Sequence, residues 1–391
     1  MTFDVSRARA DTPGCERVLH FNNAGAGLMP APVLAAVKDH LNAEALNGGY
    51  EAANAAYDWV ERTYKAAAQM LNCAPDEIAL IENATRAWDM AFYSFRFSAG
   101  DRILTAEAEY ASNYIAYLQI ARATGATIEA IPSDEHGQVS AEALANMLDD
   151  TVKLIAITHV PTNGGLVNPA AAIGRIAKDA GIPFLLDACQ SVGQMPVDVE
   201  AIGCDILSAT GRKYLRGPRG TGILYVRRGL IETLEPPFLD LHAAEWTGTD
   251  SFTIRTDAKR FETWEGSVAG KIGLGVAIDY ALGWGLEAIY DRITSLAAQV
   301  RDGLVAIQGV ELRDLGAERC GIITFTKEGA SPTDIQKALA GERINIAVSP
   351  RNFTRLDMDA RDLDALARAS VHYYNTENEV RRFCEAVAAI P

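Results

Sequence analysis

The sequence predicts an α/β protein: a large unit on a mainly parallel seven-stranded sheet, followed by a smaller α+β unit. Three observations predict it. Short β-branched runs alternate with longer helical stretches from about residue 77 to 226, as strand–helix crossovers do. Several of those runs are apolar on both faces, as a sheet covered by helices on both sides requires. After about residue 270 the pattern changes to a long helix, shorter strands and further helices. At 391 residues, 49% of them hydrophobic, the chain is long enough for two units and has material for a sizeable core.

In chain order, residues 1–20 form a leading segment, and 31–47 and 51–72 read as helices. Strands are expected at 77–83, 101–107, 127–132, 153–160, 183–189, 204–210 and 222–226, with helices such as 86–97, 112–124 and 169–180 between them. The stretch 227–265 reads as irregular and carries Trp246, Phe252 and Trp264. One long helix over roughly 268–307 then leads to the strands GIITFTKE, INIAVS and LARASVHYY and the helices 332–340 and 378–389. These boundaries divide the chain into a large domain at 21–267 and a small one at 268–391. No repeat or low-complexity linker separates them, so they are expected to pack tightly.

The charge balance is acidic, with 51 Asp+Glu against 36 Lys+Arg and a net charge of −15. That argues against general affinity for nucleic acid or an anionic membrane, both of which need a basic footprint. The six cysteines, at 15, 73, 189, 204, 320 and 384, form no C-x-x-C pair and read as reduced thiols. No metal-ligand pattern stands out. The first twenty residues lack an apolar signal core, and no apolar run reaches the ~20 residues that span a bilayer. A cytoplasmic protein is the expectation.

Ligands of open α/β sheets bind beyond the carboxyl ends of the strands, so the chemistry is sought there. The densest signal is LLDACQSVGQ (185–194) followed by LSATGRKYLRGPRGTG (207–222). Asp187 ends one predicted strand and Lys213 follows the end of the next, which places both on one rim of the sheet. A buried carboxylate is costly without a cationic partner, and a protonated pyridine ring is one. A lysine on the same rim can form an imine and move a proton. Alone, each piece has an ordinary reading: a helix cap, a solvated loop, a glycine turn. Together, on adjacent strands, they point to a cofactor site.

This block resembles the class V aminotransferase and cysteine desulfurase superfamily of fold-type I pyridoxal phosphate (PLP) enzymes, with its D-A-x-Q…S/T-x-H-K pattern and following G-P-x-G-x-G. The resemblance implies that Lys213 is the Schiff-base lysine and Asp187 the partner of the pyridine nitrogen. It implies that Ala188 lies under the ring, Gln190 near the ring oxygen and Thr210 at the phosphate. Arg212 stands where many members have His and still supplies a phosphate donor. ENATRAW (82–88) resembles the phosphate-binding turn, with Ala84 and Thr85 offering backbone N–H groups; alone it is a plain helix cap. EYASN (109–113) resembles E-H-x-x-N, with Tyr110 in the ring-stacking place. PTNGG (161–165) puts Asn163 near the cofactor, although alone it signals a turn. NNAGAG (22–27) resembles the segment that approaches substrate, through Asn23. ARASVHYYNTENEV (367–380) resembles a tail motif in which Arg368 grips the substrate α-carboxylate. These matches run from about 20 to 380.

One departure stands out. Where the family often has a Gly-Thr pair that reaches the neighbouring subunit's phosphate, this chain has Trp264 and Glu265. The resemblance further implies an amino-acid substrate and a homodimer. No cysteine lies on 349–357, where a mobile sulfur acceptor is expected, so persulfide-forming desulfuration is set aside. Within the family the likeness is to hercynylcysteine sulfoxide lyases, through Thr210–Lys213, Glu109–Asn113 and the HYYNTE ending. That implies β-elimination from a cysteine S-conjugate to pyruvate and ammonia. Aminotransferases and isopenicillin-N-epimerase-like racemases share many of these residues and stay open. So does a non-catalytic PLP-binding module. A P-loop-like phosphate binder lacks G-x-x-x-x-G-K-[ST].

Overall fold

A computed structural model describes residues 3–391. Its strands are β1 (Leu19–His20), β2 (Ile78–Ile81), β3 (Arg102–Ala106), β4 (Thr127–Ile131), β5 (Val152–Thr158), β6 (Phe184–Asp187), β7 (Ile206–Thr210), β8 (Gly222–Val226), β9 (Ala244–Gly248), β10 (Ser251–Ile254), β11 (Val310–Leu312), β12 (Ile322–Lys327), β13 (Ile344–Asn345), β14 (Ala347–Pro350) and β15 (Ala365–Ser370). The longer helices are α1 (Val5–Ala10), α2 (Ala31–Asn47), α3 (Gly49–Ala55), α4 (Tyr57–Leu71), α5 (Ala84–Phe92), α6 (Ala111–Thr124), α7 (Ala141–Met147) and α8 (Ala170–Ala180). After the short α9 (Val199–Ile202) and α10 (Arg228–Ile231) come α11 (Val268–Trp284), α12 (Leu286–Val305), α13 (Pro332–Gly341), α14 (Arg355–Ala360) and α15 (Glu377–Ala388).

The large sheet has the expected seven strands, in the order β2-β8-β7-β6-β5-β3-β4. β3 to β7 run parallel, and β8 runs antiparallel to both its neighbours, β7 and β2. Its central strands are buried along their whole length, which is why their sequences are apolar on both faces. Register places Thr158 and Asp187, the last residues of β5 and β6, beside Ser208 in the middle of β7. The second, antiparallel sheet has the order β11-β12-β15-β14, covered by α12, α13 and α15. One hydrophobic core runs continuously from the large sheet into the small one, through residues such as Ile157, Leu186, Ile293, Ile323 and Ala367.

Three expectations are corrected. The single helix over 268–307 is two helices, bent by 79° at Gly285. Gly285 has φ +85°, a backbone setting that ends α11 and that a side chain disfavours. α11 packs on α2 and α4, whereas α12 packs on α15 and β11. The helix at 51–72 likewise breaks at Ala56 into α3 and α4. The stretch 227–265 contains a two-stranded hairpin, β9–β10, with Trp246 opposite Phe252. Among the described residues no single helix is long and apolar enough to cross a membrane, although α11 and α12 together have the composition.

Candidate active site

Beyond the carboxyl ends of β5, β6 and β7 lies a cavity lined by Asn83, Ala84, Thr85, Tyr110, Thr158, Val160, Thr162, Asp187, Cys189, Gln190, Arg212 and Lys213. Eight residues singled out from sequence therefore stand on or directly beside one cavity: seven line it, and Thr210 accepts a hydrogen bond from Arg212 Nη1 at 3.0 Å. Asn83 caps α5 by accepting from Arg86 N at 2.9 Å, and the N–H groups of Ala84 and Thr85 open the helix beside it. Gly222 makes this approach possible, because a Cβ there would stand 2.8 Å from the Asn83 carbonyl carbon. Gly27 does the same over the lysine loop, where a Cβ would meet the Lys213 carbonyl oxygen at 2.6 Å.

Asp187 is buried, and both its oxygens accept: from Cys189 N at 2.9 Å and from Asn113 Nδ2 at 2.9 Å. Burial lowers the basicity of Lys213, which makes its amine a better nucleophile near neutral pH. The Lys213 amine has no hydrogen-bond partner among the described residues, although the Lys213 carbonyl accepts from Arg216 N at 3.0 Å. The loop that carries it is locked by the tail motif. His372 Nε2 lies 3.0 Å from the Tyr214 carbonyl, and Arg216 donates to Tyr373 Oη at 2.6 Å and to the Leu28 carbonyl at 2.7 Å. The HYY run thus holds the lysine loop in place.

Four predicted residues lie off the cavity wall. Ala188 is fully buried in the core between Asp187 and Cys189. Asn23 spends its side chain inside the chain: its amide donates to the Ser370 carbonyl at 2.8 Å and its oxygen accepts from Tyr374. Asn163 donates to Thr354 Oγ1 at 3.0 Å on the loop after β14, leaving its buried oxygen unpartnered. Arg368, in β15, donates to the carbonyl and hydroxyl of Thr162, which does line the cavity. Arg368 is 6% exposed, no carboxylate among the described residues pairs with it, and its Nε is unpartnered among them. Burial lowers its pKa to about 10.

Sequence reasoning assigned no role to Thr158, Thr162 or Cys189. Thr158 ends β5, and Cys189 and Thr162 lie within four residues of the ends of β6 and β5, which is the signal that could have found them. Burial pushes the Cys189 thiol well up, so it is held protonated. Glu265 and Ser267 line a second small cavity with Gly220, Thr221 and Lys271.

A lysine made less basic, a buried carboxylate and open helix N–H groups at one strand-end rim suit an aromatic ring that carries an aldehyde and a phosphate. Gln190 Oε1 and Arg368 Nε are buried beside it without partners, as atoms awaiting a ligand would be. Such a cavity fits pyridoxal phosphate. The chain belongs to the family described as Aminotransferase class-V, whose profile it matches over residues 19–383. It is 33% identical over 408 residues to a probable cysteine desulfurase 2 of Mycobacterium leprae, covering 98% of this chain and 96% of that one. The structure of a cysteine desulfurase from Thermococcus onnurineus NA1 superposes with a TM-score of 0.91 at 26% identity, over 99% and 98% of the two chains. The fold is also that of a C-DES mutant with glycine covalently linked to its PLP cofactor, at a TM-score of 0.87 and 24% identity over 97% and 99% of the chains.

Proposed function

We propose that the enzyme is a C–S lyase that cleaves a cysteine S-conjugate or its sulfoxide by β-elimination, releasing pyruvate and ammonia. The observation that carries this reading is one cavity shared by Lys213, less basic through burial, and Thr162, the anchor of an arginine that no acid neutralises. A buried unpaired cation is costly, and a substrate carboxylate offsets that cost.

Bound pyridoxal phosphate supplies the ring that takes up the electron pair left at the α-carbon. Lys213 would hold the cofactor, and its amine would remove the proton at the substrate α-carbon. Asp187 would pair with the ring nitrogen, Tyr110 would stack on the ring and Gln190 would face its oxygen. Thr210, Arg212 and the N–H groups of Ala84 and Thr85 hold the phosphate. Arg368 orients the α-carboxylate with its planar fork. Asn23 acts by pinning the 22–27 segment to Ser370 and Tyr374, and Asn163 by tying its turn to Thr354.

The sulfur leaves directly. No cysteine lies on 349–357, Cys204 and Cys320 are buried, and the cavity thiol Cys189 is held protonated, which makes it a poor nucleophile. The names of the relatives favour a second reading, desulfuration of cysteine itself. Purified enzyme is to be given cysteine S-conjugates, their sulfoxides (hercynylcysteine sulfoxide among them) and L-cysteine. Pyruvate with ammonia supports the lyase. Alanine with a protein persulfide supports desulfuration. A new amino acid only when a 2-oxo acid is added, or an inverted α-carbon, supports the aminotransferase or racemase reading.

A further inference from the structure

Behind Asp187 stands a second buried carboxylate to which nothing above assigns a task. Glu109 is 2% exposed and accepts from four donors. Its Oε1 accepts from Tyr110 N at 2.8 Å, from Asn113 Nδ2 at 2.9 Å and from the Thr158 hydroxyl, and its Oε2 accepts from Thr105 Oγ1 at 3.0 Å. The same Asn113 nitrogen donates its other hydrogen to Asp187 Oδ2 at 2.9 Å. One carboxylate thus joins β3, the start of α6 and the end of β5, and reaches β6 through a single amide.

We propose that Glu109 is a positioning residue for the ring-nitrogen carboxylate: by accepting from Asn113 it holds that amide with its N–H, not its carbonyl, toward Asp187. An amide has two faces of opposite polarity, and only the N–H face stabilises an ionised Asp187. Glu109 decides between them, because a fully ionised carboxylate can only accept. A flipped Asn113 would turn a carbonyl on both acids. With the N–H face fixed, both Asp187 oxygens are held by donors, and the carboxylate keeps its place for the ring nitrogen. The proposal rests on the reading of Asp187 given above. The same bond to Tyr110 N sets where the chain enters α6, and so the place of the Tyr110 ring.

The groups that face Glu109 are few. Thr105 comes from β3, Tyr110 N, Asn113 and Tyr117 from α6, Thr158 from β5 and Asp187 from β6. No cation lies among them. Burial, followed by the nearby Asp187 charge, raises Glu109 to about 7 against the pull of its donors, so it is half ionised near neutral pH and purely an acceptor above it.

The test loads the whole enzyme with PLP carrying a ¹⁵N ring nitrogen and reads its NMR shift and the PLP dissociation constant. Glu109→Gln keeps the size but brings an amide that can turn Asn113 round. The expected result is a ring-nitrogen shift toward the unprotonated value and PLP binding about tenfold weaker, one hydrogen bond's worth. Asn113→Leu should move both in the same direction, and the double variant should go no further than Asn113→Leu alone. A merely structural Glu109 would lower thermal stability, leave the shift where it was and add to Asn113→Leu. That result, or an unchanged shift in Asn113→Leu should the Gln variant not fold, overturns the proposal. If Asp187→Asn leaves the shift unchanged, the reading of Asp187 itself falls first. If Asp187→Asn moves it and Glu109→Gln does not, only Glu109's role is lost.

Discussion

Arg368 sits in a strand with its guanidinium held by Thr162 and no acid within reach, so its side chain is worth most when an anion arrives. Arg368→Lys keeps the charge and loses the planar fork, so KM for the amino acid should rise by roughly tenfold or more, with a smaller change in thermal midpoint. If the midpoint falls and KM stays, Arg368 is structural. Asp187 makes the opposite demand, since an amide cannot neutralise a protonated ring. Breaking a buried ion pair typically costs roughly 3–5 kcal/mol, so Asp187→Asn should keep its fold and PLP while turnover falls by about a hundredfold or more. Wild-type turnover in that variant contradicts the assignment. Lys213, Asp187, Thr85 and Tyr110 were legible because chemistry in this fold collects after strand ends, where sequence spacing is informative. Asn23, Asn163 and Ala188 were placed by motif alone. What their side chains touch depends on partners far along the chain, Asn163 on Thr354 and Asn23 on Ser370. The same distance hid Thr162, which lies 206 residues before Arg368.

Elements are held to one another by a further buried acid. Glu262 precedes α11 and accepts from Leu80 N of β2 at 2.8 Å, from Tyr64 of α4 at 2.8 Å and from Lys271 of α11 at 3.0 Å, with His242 3.4 Å away. Although burial alone would raise it, these partners, His242 first and then Lys271, hold its carboxyl at about 2. A folded pKa below the ordinary carboxylate value means stability that is present above about 4.5 and lost as pH falls through about 2. The difference amounts to up to about 3 kcal/mol. Glu262→Gln should therefore lower the thermal midpoint at pH 7, and the gap to wild type should close toward pH 2. Equal midpoints at pH 7 would show that the junction does not depend on this charge. The strands of the large sheet were readable because burial on both faces leaves continuous apolar runs. The break at Gly285 was not, since helical periodicity continues on either side and a single glycine does not announce a 79° bend.

At the scale of the molecule, the monomer leaves Trp246 77%, Phe252 56% and Trp264 53% exposed. Large aromatics shown this openly suit an interface better than a surface facing water. We expect a homodimer, checked by sedimentation at micromolar concentration. Charged replacements at Trp246 and Phe252 should shift it toward monomer, and a fully active wild-type monomer contradicts the expectation. The two-unit plan was legible from the change of pattern near 270. The continuity of the core between the units was not, because it depends on which helix faces which sheet. The measurement that bears most directly on the account is where the cofactor is attached. Wild-type protein loaded with PLP should bind it in a coloured form, and borohydride should fix it to the peptide that contains Lys213, while Lys213→Ala should carry no fixed label. A protein that takes up no PLP, or a label fixed on any other lysine, would contradict the account.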